Sequence, residues 1–202
     1  AIPFDLSKLK VTGEPLAVLS HLRTESTIGH AQYSFAANGL LVYAPGGAND
    51  LSRLVTRNRA GRVDTLPFEP AQFGCLSLSP DGTRLAARLA DPGTGQWDVW
   101  VYDLAHGTRL RLTTSGGLNC PGFSPDGRVS YVTRSGADAT IFTQSTTGRE
   151  SPTVVTALKV NGLSSASRWS PDGRHIAVYP VGASTGSAVM VVGLDSAAPV
   201  HP

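Results

Sequence analysis

The sequence has little net charge and no long apolar run. Lysine and arginine number 17 and aspartate and glutamate 15, so the formal net charge of the 202-residue chain is only +2. This small charge gives no electrostatic basis for binding nucleic acid or an anionic membrane surface. No stretch of 18 or more apolar residues is present, so the sequence predicts no membrane insertion. Residues 1–15 lack a basic start followed by an apolar stretch, and we expect no signal peptide in the chain.

Turn-forming residues, in contrast, are abundant. The chain has 22 glycines and 14 prolines, spread along its length, together with 41% hydrophobic and 16% charged residues. This composition is typical of a globular protein with many turns and not of a disordered segment.

One turn motif occurs three times at nearly even spacing. Ser-Pro-Asp-Gly ends at Gly82, Gly127 and Gly173, at intervals of 45 and 46 residues, and a degenerate copy, Ala-Ala-Asn-Gly, ends 43 residues earlier at Gly39. Proline presets the backbone for the second position of a type I turn, aspartate suits the third, and glycine accepts the left-handed conformation that follows. The motif therefore predicts a hairpin between two strands. The predicted turn residues are Pro80, Asp81, Gly82, Pro125, Asp126, Gly127, Pro171, Asp172 and Gly173.

Short apolar segments surround each turn in a constant order. A large apolar residue lies four positions before each glycine, and three further strand-like segments follow in every copy but the last, which lacks the final one. The following strands are predicted at 40–45, 84–90, 129–133 and 175–180, then at 52–58, 97–104, 140–146 and 188–195, and finally at 63–68, 109–114 and 152–158. Four antiparallel strands in each period of about 45 residues indicate an all-β fold, a β-propeller of four-stranded blades with about four blades per chain.

The predicted domain is a single propeller over residues 1–202. Its repeats cover approximately residues 31–74, 75–118, 119–163 and 164–202. The segment 14–22 precedes the first copy and is a candidate closing strand for the last blade. Three arrangements remain open: a closed four-blade ring, part of a larger ring in a longer parent protein, or half of an eight-blade ring made by two chains. Bare sheet edges also predict possible self-association.

The repeats resemble a known class of bacterial blades. Segments 123–133 (FSPDGRVSYVT), 169–179 (WSPDGRHIAVY) and 98–113 (DVWVYDLAHGTRLRLT) are similar to TolB-like, WD-like propeller repeats, and the resemblance covers nearly the whole chain from about residue 31. Segment 2–19 resembles linking strands of such repeats in receptor-like Ser/Thr kinases. The resemblance implies a binding or scaffolding module, favours a periplasmic or extracellular location, and carries over no catalytic residues.

No constellation of residues predicts catalysis or metal binding. The segment 182–186 formally matches Gly-x-Ser-x-Gly, but the sequence after Ser184 is strand-like, whereas a nucleophile elbow requires a helix there. We therefore predict a non-enzyme with no cofactor and no metal. The five histidines share no ligand spacing: they are His21, His30, His106, His175 and His201.

The two cysteines, Cys75 and Cys120, occupy equivalent positions of neighbouring repeats. Each lies seven residues before its turn glycine. Such positions on the inner strands of adjacent blades are usually too far apart for a disulfide, so we interpret both residues as small buried thiols. Two cysteines are also too few for a disulfide scaffold.

Arg168 is the candidate ligand-binding residue. It precedes Trp169 on the predicted inner strand, where the other copies have Ser34, Ser77 and Gly122. Because side chains alternate along a strand, packing of Trp169 between blades directs Arg168 toward the central channel. There it would bind an anion or a partner's carboxylate, and a structural salt bridge is the alternative. The arginines within 52–62 are interpreted as a solvated blade edge, with an acidic partner site as the alternative.

These observations predict a scaffold that binds a protein or small-molecule partner at the channel mouth, as a sensor or interaction module. The alternative is the substrate-gating propeller of a prolyl-oligopeptidase-type peptidase.

Overall fold

The computed structural model describes residues 2–5, 7–19, 22, 24–25, 30–46, 51–116, 120–136, 138–159, 163–180 and 189–194. Within these ranges the regular secondary structure consists of β-strands, and no helix there is long and apolar enough to cross a membrane. Two short antiparallel pairs precede the repeats. The first joins β1 (Phe4–Asp5) to β2 (Lys10–Val11), and the second joins β3 (Thr24–Glu25) to β4 (His30–Ala31).

Four antiparallel sheets follow, and each is one blade of a β-propeller. The prediction of an all-β fold with about four blades is thereby confirmed. Three blades have four strands, and the fourth has three among the described residues. Blade 1 contains β5 (Tyr33–Phe35), β6 (Leu41–Tyr43), β7 (Val55–Arg57) and β8 (Val63–Thr65); blade 2 contains β9 (Phe73–Leu78), β10 (Arg84–Ala90), β11 (Trp97–Asp103) and β12 (Thr108–Arg111). Blade 3 contains β13 (Gly122–Phe123), β14 (Val129–Ser135), β15 (Asp138–Gln144) and β16 (Thr153–Lys159); blade 4 contains β17 (Leu163–Trp169), β18 (His175–Pro180) and β19 (Met190–Gly193).

The repeated motif forms the hairpin between the first and second strand of each blade. In blade 2 the Ser79 N–H donates to the Arg84 carbonyl and the Gly82 N–H donates back to the Ser79 carbonyl, both at 2.9 Å. Gly82 has φ +72°, the left-handed region that a side chain disfavours. Asp81 accepts hydrogen bonds from the Thr83 amide (3.0 Å) and from the Ser79 hydroxyl (2.5 Å), which ties the carboxylate to its own turn.

Hydrophobic clusters fill the three junctions between consecutive blades. Blade 1 packs on blade 2 through residues such as Val42 and Leu85, and blade 2 packs on blade 3 through Val101 and Tyr131. Blade 3 packs on blade 4 through a third cluster that includes Ile141. Because successive side chains of a strand point to opposite faces, the second strands of blades 2 and 3 each contribute to two junctions, one on each side.

The segment 14–22, the candidate closing strand, is only partly described. Residues 14–19 lie outside any strand, and Leu22 forms an isolated antiparallel bridge with Pro45 of blade 1. No strand pairing between residues 14–19 and blade 4 occurs in the described ranges. Closure of blade 4 by this segment therefore stays a prediction.

The interpretation of the two cysteines as separate thiols was wrong. Cys75 on β9 and Cys120, just before β13, form a disulfide with Cα atoms 5.3 Å apart. That separation lies inside the range of about 4.4–6.8 Å that a disulfide requires. The physical reason is that β9 and β13 are innermost strands and contact each other directly, so equivalent positions near the axis approach more closely than expected.

Candidate functional site

The inner strands of all four blades line one cavity, here called the axial cavity. Its volume is about 210 Å³. Each blade contributes the end of its first strand and, in blades 1 and 2, the start of the following turn. The lining residues are Phe35, Ala36, Ala37, Ser77, Leu78, Ser79, Pro80, Gly122, Phe123, Arg168 and Trp169.

Arg168 is the one charged residue among those lining residues. It lies on β17 opposite Ala177 of β18, and its side chain is exposed. No carboxylate in the described part of the chain forms an ion pair with it. The structure places Arg168 in the wall of the axial cavity, and its role in binding stays a prediction. A guanidinium surrounded by small and apolar groups offers several N–H donors to an incoming anion.

Trp169 fixes the wall of the axial cavity beside Arg168. Its indole N–H donates a hydrogen bond of 2.9 Å to Ser130 Oγ, and Ser130 is fully buried on β14 of blade 3. The side chain is half-buried and packs against the cluster at the junction of blades 3 and 4. Trp169 thus packs between blades, and the alternation along β17 turns its neighbour Arg168 to the other side.

A hydrogen bond also joins the inner strands of blades 1 and 2 near the axis. Ser34 Oγ accepts from the Leu78 amide at 2.8 Å, and both residues are buried. This bond and the disulfide between Cys75 and Cys120 connect the first three blades near the axis. The hydrogen bond and the disulfide therefore hold the inner strands that form the wall of the axial cavity in fixed positions relative to one another.

Two further cavities lie away from Arg168. One, of about 190 Å³, is formed by the turns of blades 2 and 3 and shares Ser79 and Pro80 with the axial cavity. The other, of about 360 Å³, lies between blades 2 and 3 and is lined by hydroxyl and aromatic side chains, among them Thr113, Tyr131 and Phe142. In the latter cavity the Tyr131 and Phe142 rings stack with centroids 5.9 Å apart.

The remaining residues singled out in the sequence are dispersed. His106 lies in a turn with Nδ1 2.9 Å from Asp103 Oδ1, and His175 begins β18 in an exposed position. No group of three or more potential metal-binding side chains occurs in the ranges that the structure describes. Ser184, His21 and His201 lie outside those ranges, as does the side chain of His30.

The arginines of 52–62 do not gather into one site. Arg62 pairs with Asp64 at 3.1 Å on the surface, whereas Arg57 Nη1 donates to the Val18 carbonyl at 3.0 Å. Phe35 and Phe123 also line the axial cavity, although they were not among the predicted site residues. Their location could have been predicted from the sequence, because both lie four positions before a turn glycine, as Trp169 does.

Comparison with solved structures shows the same fold. TolB from Acinetobacter baumannii superimposes with a TM-score of 0.65 at 17% identity, covering 82% of this chain and 41% of that one. A putative TolB from Agrobacterium tumefaciens superimposes with a TM-score of 0.63 at 17% identity, covering 81% of this chain and 61% of that one. A prolyl endopeptidase, from a study of inter-domain dynamics in catalysis and specificity, superimposes with a TM-score of 0.57 at 18% identity. The match covers 79% of this chain and 27% of that one.

These similarities establish the TolB-like propeller fold. The chain spans only about two fifths to three fifths of the length of the two TolB structures. No known protein family's sequence profile matches the chain, and no curated protein matches it.

Proposed function

We propose that the chain is a non-catalytic propeller module that binds a carboxylate-bearing protein segment or small ligand at the axial cavity. The observation that carries this proposal is the position of Arg168, an exposed cation in a cavity to which all four blades contribute, and the one charged residue among the described residues that line it. A carboxylate accepts two parallel hydrogen bonds from a guanidinium, and such charge-assisted bonds are about twice as strong as neutral ones.

The size of the axial cavity limits the ligand. Pockets that enclose a drug-sized molecule measure about 300–1,000 Å³, whereas this cavity measures about 210 Å³. It therefore accommodates one end of a molecule, such as a peptide C-terminus or a single acidic side chain. The rest of the partner would lie on the turns around the opening.

The lining also favours an apolar group next to the carboxylate. Phe35 is 70% exposed and Trp169 is half-buried, so both rings present surface to the cavity. Burying apolar area contributes about 25 cal/mol per Å², which makes a hydrophobic residue beside the charge a favourable choice. A peptide with a free C-terminal carboxylate and a nearby aromatic residue meets both requirements.

The test compares N-acetyl-phenylalanyl-alanine with its C-terminal amide. Binding is followed by NMR titration, with the Trp169 indole N–H resonance as the local probe, assigned from its loss in Trp169→Phe. We expect the acid to bind about 10-fold tighter or more than the amide, because a hydrogen bond to a charged group contributes roughly 1.5–3 kcal/mol.

Two variants distinguish binding of the peptide at Arg168 from nonspecific attraction of its carboxylate to positive charge on the protein. Arg168→Gln should remove the preference for the acid, whereas Arg149→Gln, which removes an exposed arginine from a turn of blade 3, should keep it. Equal binding of acid and amide by the unmodified protein, or an unchanged preference in Arg168→Gln, contradicts the proposal.

The second candidate function is a propeller that gates access to a peptidase. It is favoured by the structural similarity to a prolyl endopeptidase, which extends over 79% of this chain. A hydrolase domain encoded in the same reading frame would support this candidate, and its absence would favour the binding module.

The disulfide further supports location in an oxidising compartment. Disulfides persist in secreted and periplasmic proteins and are rare in the cytosol. Alkylation of the protein in its native cells, followed by mass spectrometry with and without reduction, tests this point. Modification of Cys75 and Cys120 before reduction would contradict the proposed location.

A further inference from the structure

The cavity between blades 2 and 3, here called the interblade cavity, is separate from the axial cavity and shares no lining residue with it. Its volume is about 360 Å³, whereas pockets that enclose a small molecule measure about 300–1,000 Å³. None of the described residues that line it carries a charge. The interblade cavity therefore has the size of a small-molecule site and the lining of a site for a neutral ligand.

The interblade cavity is open because two aromatic rings of the preceding junction have smaller, polar counterparts here. Between blades 1 and 2, the buried rings of Phe68 and Tyr102 meet edge to face with centroids 4.6 Å apart. Phe68 is the third residue after β8, and the third residue after β12 is Thr114. Tyr102 and Gln144 are equivalent, since each pairs across the sheet with the residue that follows the arginine whose carbonyl closes the turn. Threonine and glutamine leave unfilled the space that the two rings occupy in the preceding junction.

One wall of the interblade cavity is aromatic. Tyr131 and Phe142 pair directly across the sheet of blade 3, and their rings stack with an interplanar angle of 19°. The Tyr131 hydroxyl donates to Gln144 Oε1 at 3.1 Å, and Gln144 Nε2 donates to the Glu150 carbonyl at 3.1 Å. These bonds hold the side chains in place and leave Gln144 a second N–H and a second acceptor site for a ligand. The wall thus combines an apolar face with polar groups at its edge.

Hydroxyl groups line the interblade cavity on both sides. Thr114 and Ser115 follow β12 of blade 2 and are exposed, whereas Thr133 lies on β14 of blade 3 and is half-buried. None of these three hydroxyls forms a hydrogen bond with another described residue. The Thr114 carbonyl accepts a hydrogen bond of 2.8 Å from Gln96 Nε2, which holds the blade 2 side of the cavity in place. Three hydroxyls that can both donate and accept are therefore available to a ligand.

We propose that the interblade cavity binds one neutral pyranose sugar. The apolar C–H face of the sugar ring covers the Tyr131–Phe142 pair. Its hydroxyls exchange hydrogen bonds with those of Thr114, Ser115 and Thr133. Because these three hydroxyls lie on opposite sides, the ligand needs polar groups around its ring, which a pyranose has and a flat aromatic ring with one polar edge lacks. A phosphate or carboxylate would meet no cation among the described lining residues and would lose its hydration without compensation.

The first experiment titrates the protein with methyl β-glucopyranoside, methyl β-galactopyranoside and methyl α-mannopyranoside. Binding is followed by NMR, through the amide resonance of Thr133 and through saturation transfer from the protein to the sugar C–H protons. We expect at least one of the three sugars to bind with a Kd of about 1 mM or below and to shift the Thr133 resonance. The uronic acid counterpart of that sugar should bind at least about 10-fold more weakly, because no described lining residue is a cation. Binding of none of the three sugars, or equally tight binding of the acid, overturns the proposal.

The second experiment locates the bound sugar by substitution. Thr133→Val removes one hydroxyl and keeps the volume of the side chain, so it should weaken binding about 3- to 10-fold, the loss of one hydrogen bond. Thr156→Val is the matched control. Thr156 is also half-buried in blade 3, but it pairs with Ile141 on the opposite face, and its substitution should leave the Kd unchanged. Equal effects of the two substitutions contradict the proposal.

Two further variants test the aromatic wall and the separation from the axial cavity. Phe142→Leu keeps an apolar side chain but removes the flat ring, and it should weaken sugar binding about 3- to 10-fold. Arg168→Gln should leave the Kd of the sugar unchanged, because Arg168 does not line the interblade cavity. Loss of sugar binding in Arg168→Gln, or unchanged binding in Phe142→Leu, would refute a sugar site between blades 2 and 3.

Discussion

Asp98 of β11 accepts a hydrogen bond of 2.5 Å from Nη2 of Arg111, and Asp98 is only 1% exposed. The same carboxylate also accepts from the Thr113 hydroxyl at 3.0 Å and from the Gly116 amide at 3.2 Å. This network joins β11 to the segment that leads from blade 2 to the inner strand of blade 3. A buried charge costs little stability when its hydrogen bonds are all satisfied, whereas a buried donor that loses its acceptor destabilises the fold.

Asp98→Ala should therefore destabilise the protein by about 2 kcal/mol, because the Thr113 hydroxyl and the Gly116 amide lose their acceptor, whereas Arg111 is partly exposed and keeps Asp91 at 3.6 Å. The urea midpoint of unfolding measures the change. Asp64→Ala is the control, because its pair with Arg62 lies on the surface and should contribute at most about 1 kcal/mol. Equal effects of the two substitutions would contradict the assigned role of Asp98.

The disulfide between Cys75 and Cys120 should stabilise the fold substantially. The cysteines are 45 residues apart in the chain, and the loop-entropy relation gives about 4 kcal/mol for a loop of this length. We expect a reducing agent to lower the urea midpoint of the unmodified protein and to leave that of Cys75→Ala/Cys120→Ala unchanged. If reduction has no effect on the unmodified protein although free thiols are detected, the cross-link is not a stabilising element.

The blades were predictable because their determinants are local. A proline, an aspartate and a glycine in fixed order specify the hairpin, and apolar segments at regular distances specify the strands around it. The position of Arg168 was predictable for the same reason, since alternation along one strand relates it to Trp169.

What the sequence did not show depends on distances between blades. The pairing of Cys75 with Cys120 requires the actual separation of two inner strands, which no spacing along the chain reveals. The uncovered state of Phe35 is likewise invisible in the sequence, where it is equivalent to Phe123. Exposure distinguishes the two residues, and exposure is decided by which blades are neighbours.

The bond between Trp169 and Ser130 should couple blades 3 and 4. Trp169→Phe and Ser130→Ala each remove it, and each should destabilise the protein by about 1 kcal/mol. The double variant should be less destabilised than the sum, with a coupling free energy of about 0.5–1.5 kcal/mol from chemical denaturation. Strict additivity would mean that the two side chains do not interact in solution.

Acid should weaken the repeated turns. The Ser79 hydroxyl and the Thr83 amide hold the pKa of Asp81 below its usual value, and the Ser170 hydroxyl and the Arg174 amide do the same for the pKa of Asp172. A carboxyl whose folded-state pKa is depressed contributes stability above its unfolded pKa of about 4, and that contribution is lost as the pH falls through the folded value.

We therefore expect the difference in thermal midpoint between the unmodified protein and Asp81→Asn to shrink as the pH is lowered from 6 to about 2. Asp172→Asn should show the same trend, because its turn repeats the same bonds. A difference that is independent of pH over this interval would show that the charge of the turn carboxylate does not contribute to stability.

The turn glycines should be sensitive to substitution through backbone conformation alone. Gly127 has φ +80°, and a Cβ atom added there would meet no atom within 4 Å. Gly127→Ala should therefore destabilise the protein by about 1–2 kcal/mol, the cost of placing an L-residue in the left-handed region. Gly193 is the matched control, because it also has open space around a new Cβ but no positive φ. Gly193→Ala should leave the free energy of unfolding, determined from urea denaturation, unchanged or raise it by up to about 0.5 kcal/mol, since it reduces the freedom of the unfolded chain. A large loss of stability in both variants would point to crowding and not to backbone strain.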